Sequence, residues 1–299
     1  DSSSATSQAD EPRPQPESQE APLRLALVPE RDIFEQRRRY QRLADYLAKH
    51  LQRPVEVVTE NTYEGVLQDF QNDAIDAAFL GSFISVLAMD RHDARVLVKP
   101  EIETGVTTYH GVIFTRADSP IRSLEELAGK SIAMVKGTTA ADLFPIAEMK
   151  RLEVLNQAGM PTIRWVGTHD EAIREVMEGN VDLGAAKNLR LDAFESQDAG
   201  RVRRLAVSEP VPNNALLVDP VTADVWGERL RQVLLGMNES PEGRQVLAEF
   251  GTVRFVDCKP DEYEAVYRMI NSLGSDWVTL GVRGPIPGEG RKNTITTGG

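Results

Sequence analysis

Short apolar runs alternate with amphipathic segments from residue 23 to about residue 280. The short runs predict buried strands, and windows in which apolar residues recur every three or four positions predict helices. The clearest helix is Phe34–Leu51, where Leu43, Leu47 and Leu51 fall on one stripe. This alternation of strand and helix is typical of an α/β protein with a mostly parallel sheet covered by helices on both faces.

The rhythm restarts near residue 108, which predicts two α/β lobes with a cleft between them. We expect one lobe to comprise residues 23–107 and 208–280, and the other residues 108–207. The predicted strands are Arg24–Val28, Val55–Val58, Ile75–Leu80, Ala94–Val98, Gly111–Arg116, Ser131–Val135, Thr162–Val166, Asp182–Ala186, Val202–Val207 and Ala215–Val218. The further predicted helices include Tyr63–Gln71, Ile84–Met89, Thr139–Asn156, Leu189–Glu195, Thr222–Met237, Pro241–Phe250 and Pro260–Ser272.

The two ends of the chain differ from this pattern. Residues 1–22 contain almost no large apolar side chain, so they predict a disordered linker. Residues 281–299 are rich in Gly and Pro and predict a tail that is either disordered or laid over the surface. No apolar run reaches the length of about 18 residues that a membrane-spanning helix needs.

The chain is acidic, with a formal net charge of -12 and a pI near 5.0. Nonspecific nucleic-acid binding needs a basic face, so this class of function is not predicted. A site for an anion would depend on local donors and not on the overall field of the protein. The single cysteine, Cys258, cannot form an internal disulfide and is expected to be a small, partly buried residue.

The region from Tyr109 to Asn188 contains several strand-to-helix turns made of hydroxyls, amides and one histidine. In an open α/β sheet, ligands bind outside the carboxyl ends of the strands, where helix N-termini present free N–H groups. Thr138 and Thr139 follow Gly137 at such a turn. They either cap the helix or, together with main-chain N–H groups, receive an anion. The turns therefore predict a pocket for a small oxyanion.

Other candidates occupy equivalent places at strand ends and first helical turns. His169 follows the expected cap residue Thr168, and a structural histidine is the alternative. Tyr63 follows the expected cap residues Asn61 and Thr62, and core packing is the alternative. The remaining candidates at strand ends are Gly81, Ser82 and Asn188.

Known catalytic motifs are absent from the sequence. The chain has no GxSxG elbow, HExxH or GxGxxG, and the turn at Gly137 lacks the Lys-Ser/Thr pair of a phosphate-binding Walker loop. The 4 histidines do not have metal-ligand spacing, and the scattered acidic residues single out no carboxylate pair. We therefore predict neither an enzyme nor a metal or cofactor site.

Several segments together resemble a known family. The most specific are the hydroxyl-rich turn within Gly137–Pro145 and the Gly-Thr-His-Asp run at Gly167–Asp170. The Ile-x-Ser-Leu-x-x-Leu-x-Gly-Lys run at Ile121–Lys130 is common to a wider group. With these segments, the chain resembles the substrate-binding proteins of phosphonate, phosphite and phosphate ABC transporters. The resemblance covers most of residues 23–200 and implies the two-lobed type II periplasmic binding protein fold.

In that family, a Ser-Thr-Ser-like turn, two tyrosines and a histidine hold the phosphoryl oxygens of the ligand. The resemblance assigns these roles here to Thr138, Thr139, Tyr63, Tyr109 and His169. Gly81 matches the strand-end glycine and Asn188 a polar position that lines the cleft.

Three positions depart from the family pattern. Ala140 stands where a third hydroxyl is usual, Ser82 where proline is common, and Ile84 where serine is common. The expected ligand is therefore a small oxyanion whose identity as phosphonate, phosphite, phosphate or another oxyanion stays open.

The resemblance also implies a place and a partner. Such proteins work in the periplasm or at the outer face of the cytoplasmic membrane and deliver ligand to an ABC permease. The alternative is a sensor that presents an oxyanion, for example an arsenic oxyanion, to a membrane histidine kinase. The leader resembles the segment after the lipidated cysteine of bacterial lipoproteins, so an N-terminal lipid tether is a further expectation. A monomer is the default state of this fold.

Overall fold

A computed structural model describes residues 21–27, 33–60, 62–155 and 158–274. Residues 1–20 of the predicted linker, the predicted tail 281–299 and the expected cap residue Asn61 lie outside the described residues. Within the described part, no helix is both long enough and apolar enough to cross a membrane.

The strands and helices follow one another in the predicted alternation. The strands are β1 (Leu23–Leu27), β2 (Val55–Thr59), β3 (Ala77–Leu80), β4 (Arg95–Glu101), β5 (Thr108–Tyr109), β6 (Gly111–Arg116), β7 (Ser131–Val135), β8 (Thr162–Val166), β9 (Leu183–Lys187), β10 (Val202–Val207), β11 (Val211–Pro212), β12 (Ala215–Val218) and β13 (Arg254–Asp257). The α-helices are α1 (Ile33–Leu51), α2 (Tyr63–Gln71), α3 (Ser82–His92), α4 (Phe144–Arg151), α5 (His169–Met177), α6 (Asn188–Glu195), α7 (Pro220–Thr222), α8 (Glu228–Leu235), α9 (Pro241–Phe250) and α10 (Glu264–Leu273). Short 3-10 helices cover Leu124–Leu127, Met237–Glu239 and Pro260–Tyr263, and π-helical turns cover Thr139–Leu143 and Ala223–Gly227.

Two large sheets form the centres of two lobes. The first lobe contains the six-stranded sheet with the order β13-β4-β12-β3-β1-β2, and the second lobe contains the five-stranded sheet with the order β10-β6-β9-β7-β8. The predicted two-lobed α/β fold class is confirmed. The expectation of mostly parallel sheets needs a correction, because both sheets are mixed. Strand β12 lies antiparallel between β3 and β4, and β6 lies antiparallel between β9 and β10.

A two-stranded ribbon accompanies the passage of the chain between the lobes. β5 precedes the second sheet and β11 follows it, and the two pair antiparallel, with Tyr109 opposite Val211. Each inserted antiparallel strand, β6 or β12, comes directly after one of these ribbon strands. The crossing therefore accounts for the reversed direction of β6 and β12, whereas β13, at the edge of the first sheet, also runs antiparallel to β4 without following a ribbon strand. The lobe boundaries at 107/108 and 207/208 stay a prediction.

One buried apolar cluster runs through both lobes. It extends from Phe83 and Leu87 of α3 through Tyr109 of the ribbon to Val112 and Ala140 of the second lobe. A second cluster packs α1, α8 and α9 against the other face of the first sheet and includes Leu43, Leu47 and Leu51. The predicted apolar stripe of α1 therefore faces the core, as helical periodicity requires.

The predicted helix Thr139–Asn156 needs a correction. The chain first forms the π-helical turn Thr139–Leu143, and the α-helix after it ends at Arg151. The N–H of Phe144 bonds to the carbonyl of Thr139 in the wide π pattern. Pro145 comes next. Because proline has no N–H, it cannot donate a hydrogen bond to the preceding turn, and the regular α-helical pattern of bonds is interrupted at this point.

Candidate functional site

The two lobes meet where the turn after β7 approaches the start of α3. Thr139 Oγ1 accepts a hydrogen bond of 2.8 Å from the main-chain N–H of Phe83. Thr139 is 2% exposed, so this bond is shielded from water. Because the oxygen acts here as an acceptor, the hydroxyl hydrogen of Thr139 remains available to donate to a ligand.

Thr138 has a different role from its neighbour. Its Oγ1 accepts from the N–H of Ala141 at 3.1 Å and donates to the carbonyl of Val135 at 2.8 Å. The first bond is an N-cap, which stabilises the start of the π-helical turn. Since both bonds lie within the turn, the alternative of a capping residue describes Thr138 better than it describes Thr139.

Asp142, which sequence reasoning did not single out, lies in the same turn and bonds to its main chain. Its side chain is fully buried, and Oδ2 accepts from the N–H of Gly137 at 2.7 Å. Among the described residues, Oδ1 has no hydrogen-bond partner. Burial raises the pKa of the Asp142 carboxyl to about 7, and the hydrogen bond from Gly137 opposes that shift. The available signal was an acidic residue inside an otherwise apolar run.

Tyr109 presents a buried hydroxyl to the start of α3. The residue is 1% exposed, and its Oη has no hydrogen-bond partner among the described residues. A Cβ placed on Gly81 would lie 3.9 Å from this oxygen. Gly81 is the N-cap of α3 and makes no side-chain capping bond. The predicted pair Tyr109 and Gly81 is thus brought together at the positive end of a helix dipole.

Tyr63 and Ala140 complete the surroundings of the turn. Gly137 has a φ of +77°, and a Cβ there would lie 3.3 Å from Cδ2 of Tyr63, so the ring covers this glycine. On the other side, a Cβ on Gly111 would lie 3.0 Å from Cα of Ala140. The turn is therefore held between the Tyr63 ring and strand β6.

A cavity of about 310 Å³ lies between the lobes, and its lining does not include Tyr109 or Thr139. Its lining includes aromatic side chains of the first lobe and cationic or polar side chains of the second lobe and of the return crossing: Tyr40, Phe79, Phe250, His169, Lys187 and Asn214. Lys187 Nζ donates to Oδ1 of Asn214 at 2.8 Å and lies 4.6 Å from the centre of the Tyr109 ring. These contacts join the cavity to the neighbourhood of Tyr109.

His169 is the one predicted site residue that lines the cavity. It is the first residue of α5, and Thr168 caps this helix by accepting from the N–H of Glu171 at 3.1 Å. The carboxylate of Glu171 accepts from the N–H of Gly167 at 2.8 Å. The turn that carries His169 is therefore fixed at both ends.

Two predicted site residues bond to the segments in which the chain passes between the lobes. Ser82 Oγ donates to the carbonyl of Pro212 at 2.6 Å, and Asn188 Oδ1 accepts from the N–H of His110 at 2.8 Å. Their side chains therefore bond to the main chain of the ribbon region. Lys187, which sequence reasoning missed, lines the cavity in place of Asn188. Its position at the same strand end was the available signal.

The described residues contain no group of three or more His, Cys, Asp and Glu side chains placed to hold a metal ion. The residues gathered around the turn and the cavity provide hydroxyl and main-chain N–H donors, one histidine and one lysine.

Comparison with protein families gives a match over most of the chain. The family of the periplasmic substrate-binding protein of the phosphonate ABC transporter matches residues 25–263. The chain is 27% identical over 180 residues to the phosphate-import protein PhnD of Mycolicibacterium smegmatis, covering 57% of this chain and 56% of the relative. It is 20% identical over 201 residues to the phosphonates-binding periplasmic protein of Escherichia coli, covering 64% and 59%. The matches thus span less than two thirds of the length of these relatives.

Solved structures with a similar fold cover more of the chain. XAC2383 from Xanthomonas citri bound to ATP has a TM-score of 0.74 at 22% identity, covering 87% of this chain and 99% of its own. PhnD1 from Prochlorococcus marinus in complex with methylphosphonate has a TM-score of 0.70 at 16% identity, covering 84% and 97%. These structural likenesses support the fold alone, whereas the family match over residues 25–263 also identifies the family. The chain belongs to the family of periplasmic substrate-binding proteins of phosphonate ABC transporters.

Proposed function

We propose that this chain is an extracytoplasmic binding protein that captures a small oxyanion of the phosphonate, phosphite or phosphate class between its lobes and delivers it to an ABC permease. The family match supports the extracytoplasmic place and the permease as partner. The names of the two relatives, which refer to phosphate import and to phosphonate binding, support the ligand class.

The observation that carries the proposal is the buried hydroxyl of Tyr109. A buried polar group without a hydrogen-bond partner costs about 1–3 kcal/mol, and Tyr109 Oη has none among the described residues. An oxyanion oxygen that accepts from Tyr109 Oη would remove this cost. The N-terminus of α3, which begins beside the same oxygen, favours a negative charge.

The other donors around this point are consistent with an anion. The hydroxyl hydrogen of Thr139 adds to the hydroxyl of Tyr109. In a site shielded from water, hydrogen bonds from such groups are stronger than at the surface. The overall charge of -12 does not attract anions, so these local groups must provide the affinity.

Thermal unfolding of the purified protein with phosphate, phosphite, methylphosphonate, arsenate and sulfate tests the proposal. A ligand at a hundredfold excess over its Kd stabilises the folded state by about 2.7 kcal/mol. We expect such a shift from at least one phosphorus oxyanion and a smaller shift in Tyr109→Phe. The absence of a shift with every oxyanion would contradict the proposal.

A further inference from the structure

The interlobe cavity is larger than the oxyanion proposed above. Its volume is about 310 Å³. Tyr109 and Thr139 do not line this cavity, so a head group bound beside these two residues leaves its volume unfilled. This space is a place for a substituent on the ligand.

The charges that line this space are mostly paired with one another. Arg39 pairs with Glu35, and Nε of Arg190 donates to Oδ1 of Asp170 at 2.8 Å. Lys187 has no carboxylate partner among the described residues, and its ammonium is held by the neutral amide of Asn214. The other charged residue that lines the cavity is Glu103. Its side chain is exposed, so water screens its charge.

The floor of the cavity is apolar. Tyr40 and Phe79 pack edge to face with ring centres 6.0 Å apart, and the ring of Phe250 lies 5.4 Å from that of Tyr40. A half-buried cation that lines the same cavity as these rings suits a short carbon chain that ends in an anion, because the chain can contact the rings and its charge can meet the ammonium. The same cation opposes a substituent that carries a positive charge.

We infer that the ligand is an organic phosphonate or phosphate monoester whose substituent carries a second anionic group, a carboxylate or another phosphoryl group, bound by Lys187 in the interlobe cavity. This inference rests on the proposed function, since the first phosphoryl group is placed beside Tyr109 and Thr139. It adds a binding residue and a chemical class to that function.

The test is calorimetric titration of the full chain with three ligands of similar length. They are propylphosphonate with a neutral substituent, 3-phosphonopropionate with an anionic one, and 2-aminoethylphosphonate with a cationic one. We expect 3-phosphonopropionate to bind about tenfold more tightly than propylphosphonate, as a charge-assisted hydrogen bond provides. We expect 2-aminoethylphosphonate to bind most weakly.

Variants separate the role of Lys187 from a general effect of charge. In Lys187→Gln the preference for 3-phosphonopropionate over propylphosphonate should disappear, while propylphosphonate still binds. Lys130→Gln is the control, because Lys130 precedes the start of β7, at the opposite end of that strand from the turn, and it should keep the preference.

Two results would overturn the inference while leaving the proposed function in place. One is a parent protein that binds 2-aminoethylphosphonate as tightly as 3-phosphonopropionate, or more tightly. The other is a Lys187→Gln variant that keeps the preference or that weakens all three ligands equally, because Lys187 would then contact only the head group. If none of the three ligands nor phosphate bound, the proposed function would fail and the inference with it.

Discussion

The hydroxyl oxygen of Thr139 accepts a hydrogen bond of 2.8 Å from the main-chain N–H of Phe83. This bond joins the turn of the second lobe to the first turn of α3 in the first lobe. The same threonine therefore links two sets of donors and, because its oxygen accepts in this bond, leaves its own hydroxyl hydrogen available to donate. Its neighbour Thr138 uses its hydroxyl within the turn.

Replacement of these two threonines should affect ligand binding differently, although both should lower stability, since Thr139→Ala also removes the buried bond from the N–H of Phe83. Thr139→Ala should weaken oxyanion binding by about 1–3 kcal/mol, because a ligand oxygen loses its donor. Thr138→Ala should lower the free energy of unfolding by about 0.5–2 kcal/mol through the lost cap, with a smaller effect on affinity than Thr139→Ala. Calorimetric titration and urea unfolding of both variants measure the two effects. Equal affinities of the parent and Thr139→Ala would place the ligand elsewhere.

Tyr109→Phe should stabilise the empty protein and weaken ligand binding. The substitution removes a buried hydroxyl that has no hydrogen-bond partner among the described residues, and such a group costs about 1–3 kcal/mol. The ring and its packing are retained. Thermal unfolding without ligand should show an unchanged or raised Tm, and titration should show a raised Kd. A lowered Tm together with an unchanged Kd would return Tyr109 to a structural role.

Gly137→Ala should weaken binding more than a matched glycine substitution. Gly137 and Gly129 have φ values of +77° and +69°, so alanine at either position costs about 1–2 kcal/mol of backbone strain. A Cβ at Gly137 would also lie 3.3 Å from the Tyr63 ring, whereas a Cβ at Gly129 meets nothing within 4 Å. Both variants should lose stability in urea unfolding, but only Gly137→Ala should lose affinity. A loss of affinity in both would show that strain alone is responsible.

Asp142 should make the stability of the protein fall as the pH rises. Burial raises the pKa of its carboxyl to about 7 in the folded protein, whereas the unfolded value is about 3.9. The folded state therefore binds this proton more tightly. The resulting stabilisation is complete below about pH 4 and is lost as the pH rises through about 7, by a few kcal/mol in order of magnitude.

Asp142→Asn cannot titrate, and its amide oxygen can still accept from the N–H of Gly137. Urea unfolding at pH 5 and pH 8 should show a larger loss of stability in the parent than in this variant. Identical losses in the two proteins would mean that the Asp142 carboxyl has the same pKa in the folded and unfolded states.

Local sequence signals predicted the elements that carry the site. Apolar runs and cap residues located the strand before Thr138 and the helix after Thr168, because these depend on neighbours in the chain. The two-stranded ribbon and strand β13 were missed. The ribbon strands have two residues each, too few for a period, and their pairing joins residues about one hundred positions apart.

Features that depend on the packed structure were beyond the sequence. The π-helical turn before Pro145 resembles an ordinary helix in its pattern of apolar residues. Whether Lys187 or Asn188 lines the cavity depends on which side of the end of β9 faces it. The unsatisfied hydroxyl of Tyr109 is a property of the surrounding atoms, so a residue pattern can propose the tyrosine and not its environment.

The most direct test of a ligand between the lobes is a crystal structure of the chain with the phosphorus oxyanion that gives the largest thermal shift. We expect one phosphoryl oxygen within hydrogen-bonding distance, about 2.5–3.0 Å, of both Tyr109 Oη and Thr139 Oγ1, with the start of α3 directed at the anion. An oxyanion bound away from these two hydroxyls would contradict the proposed site.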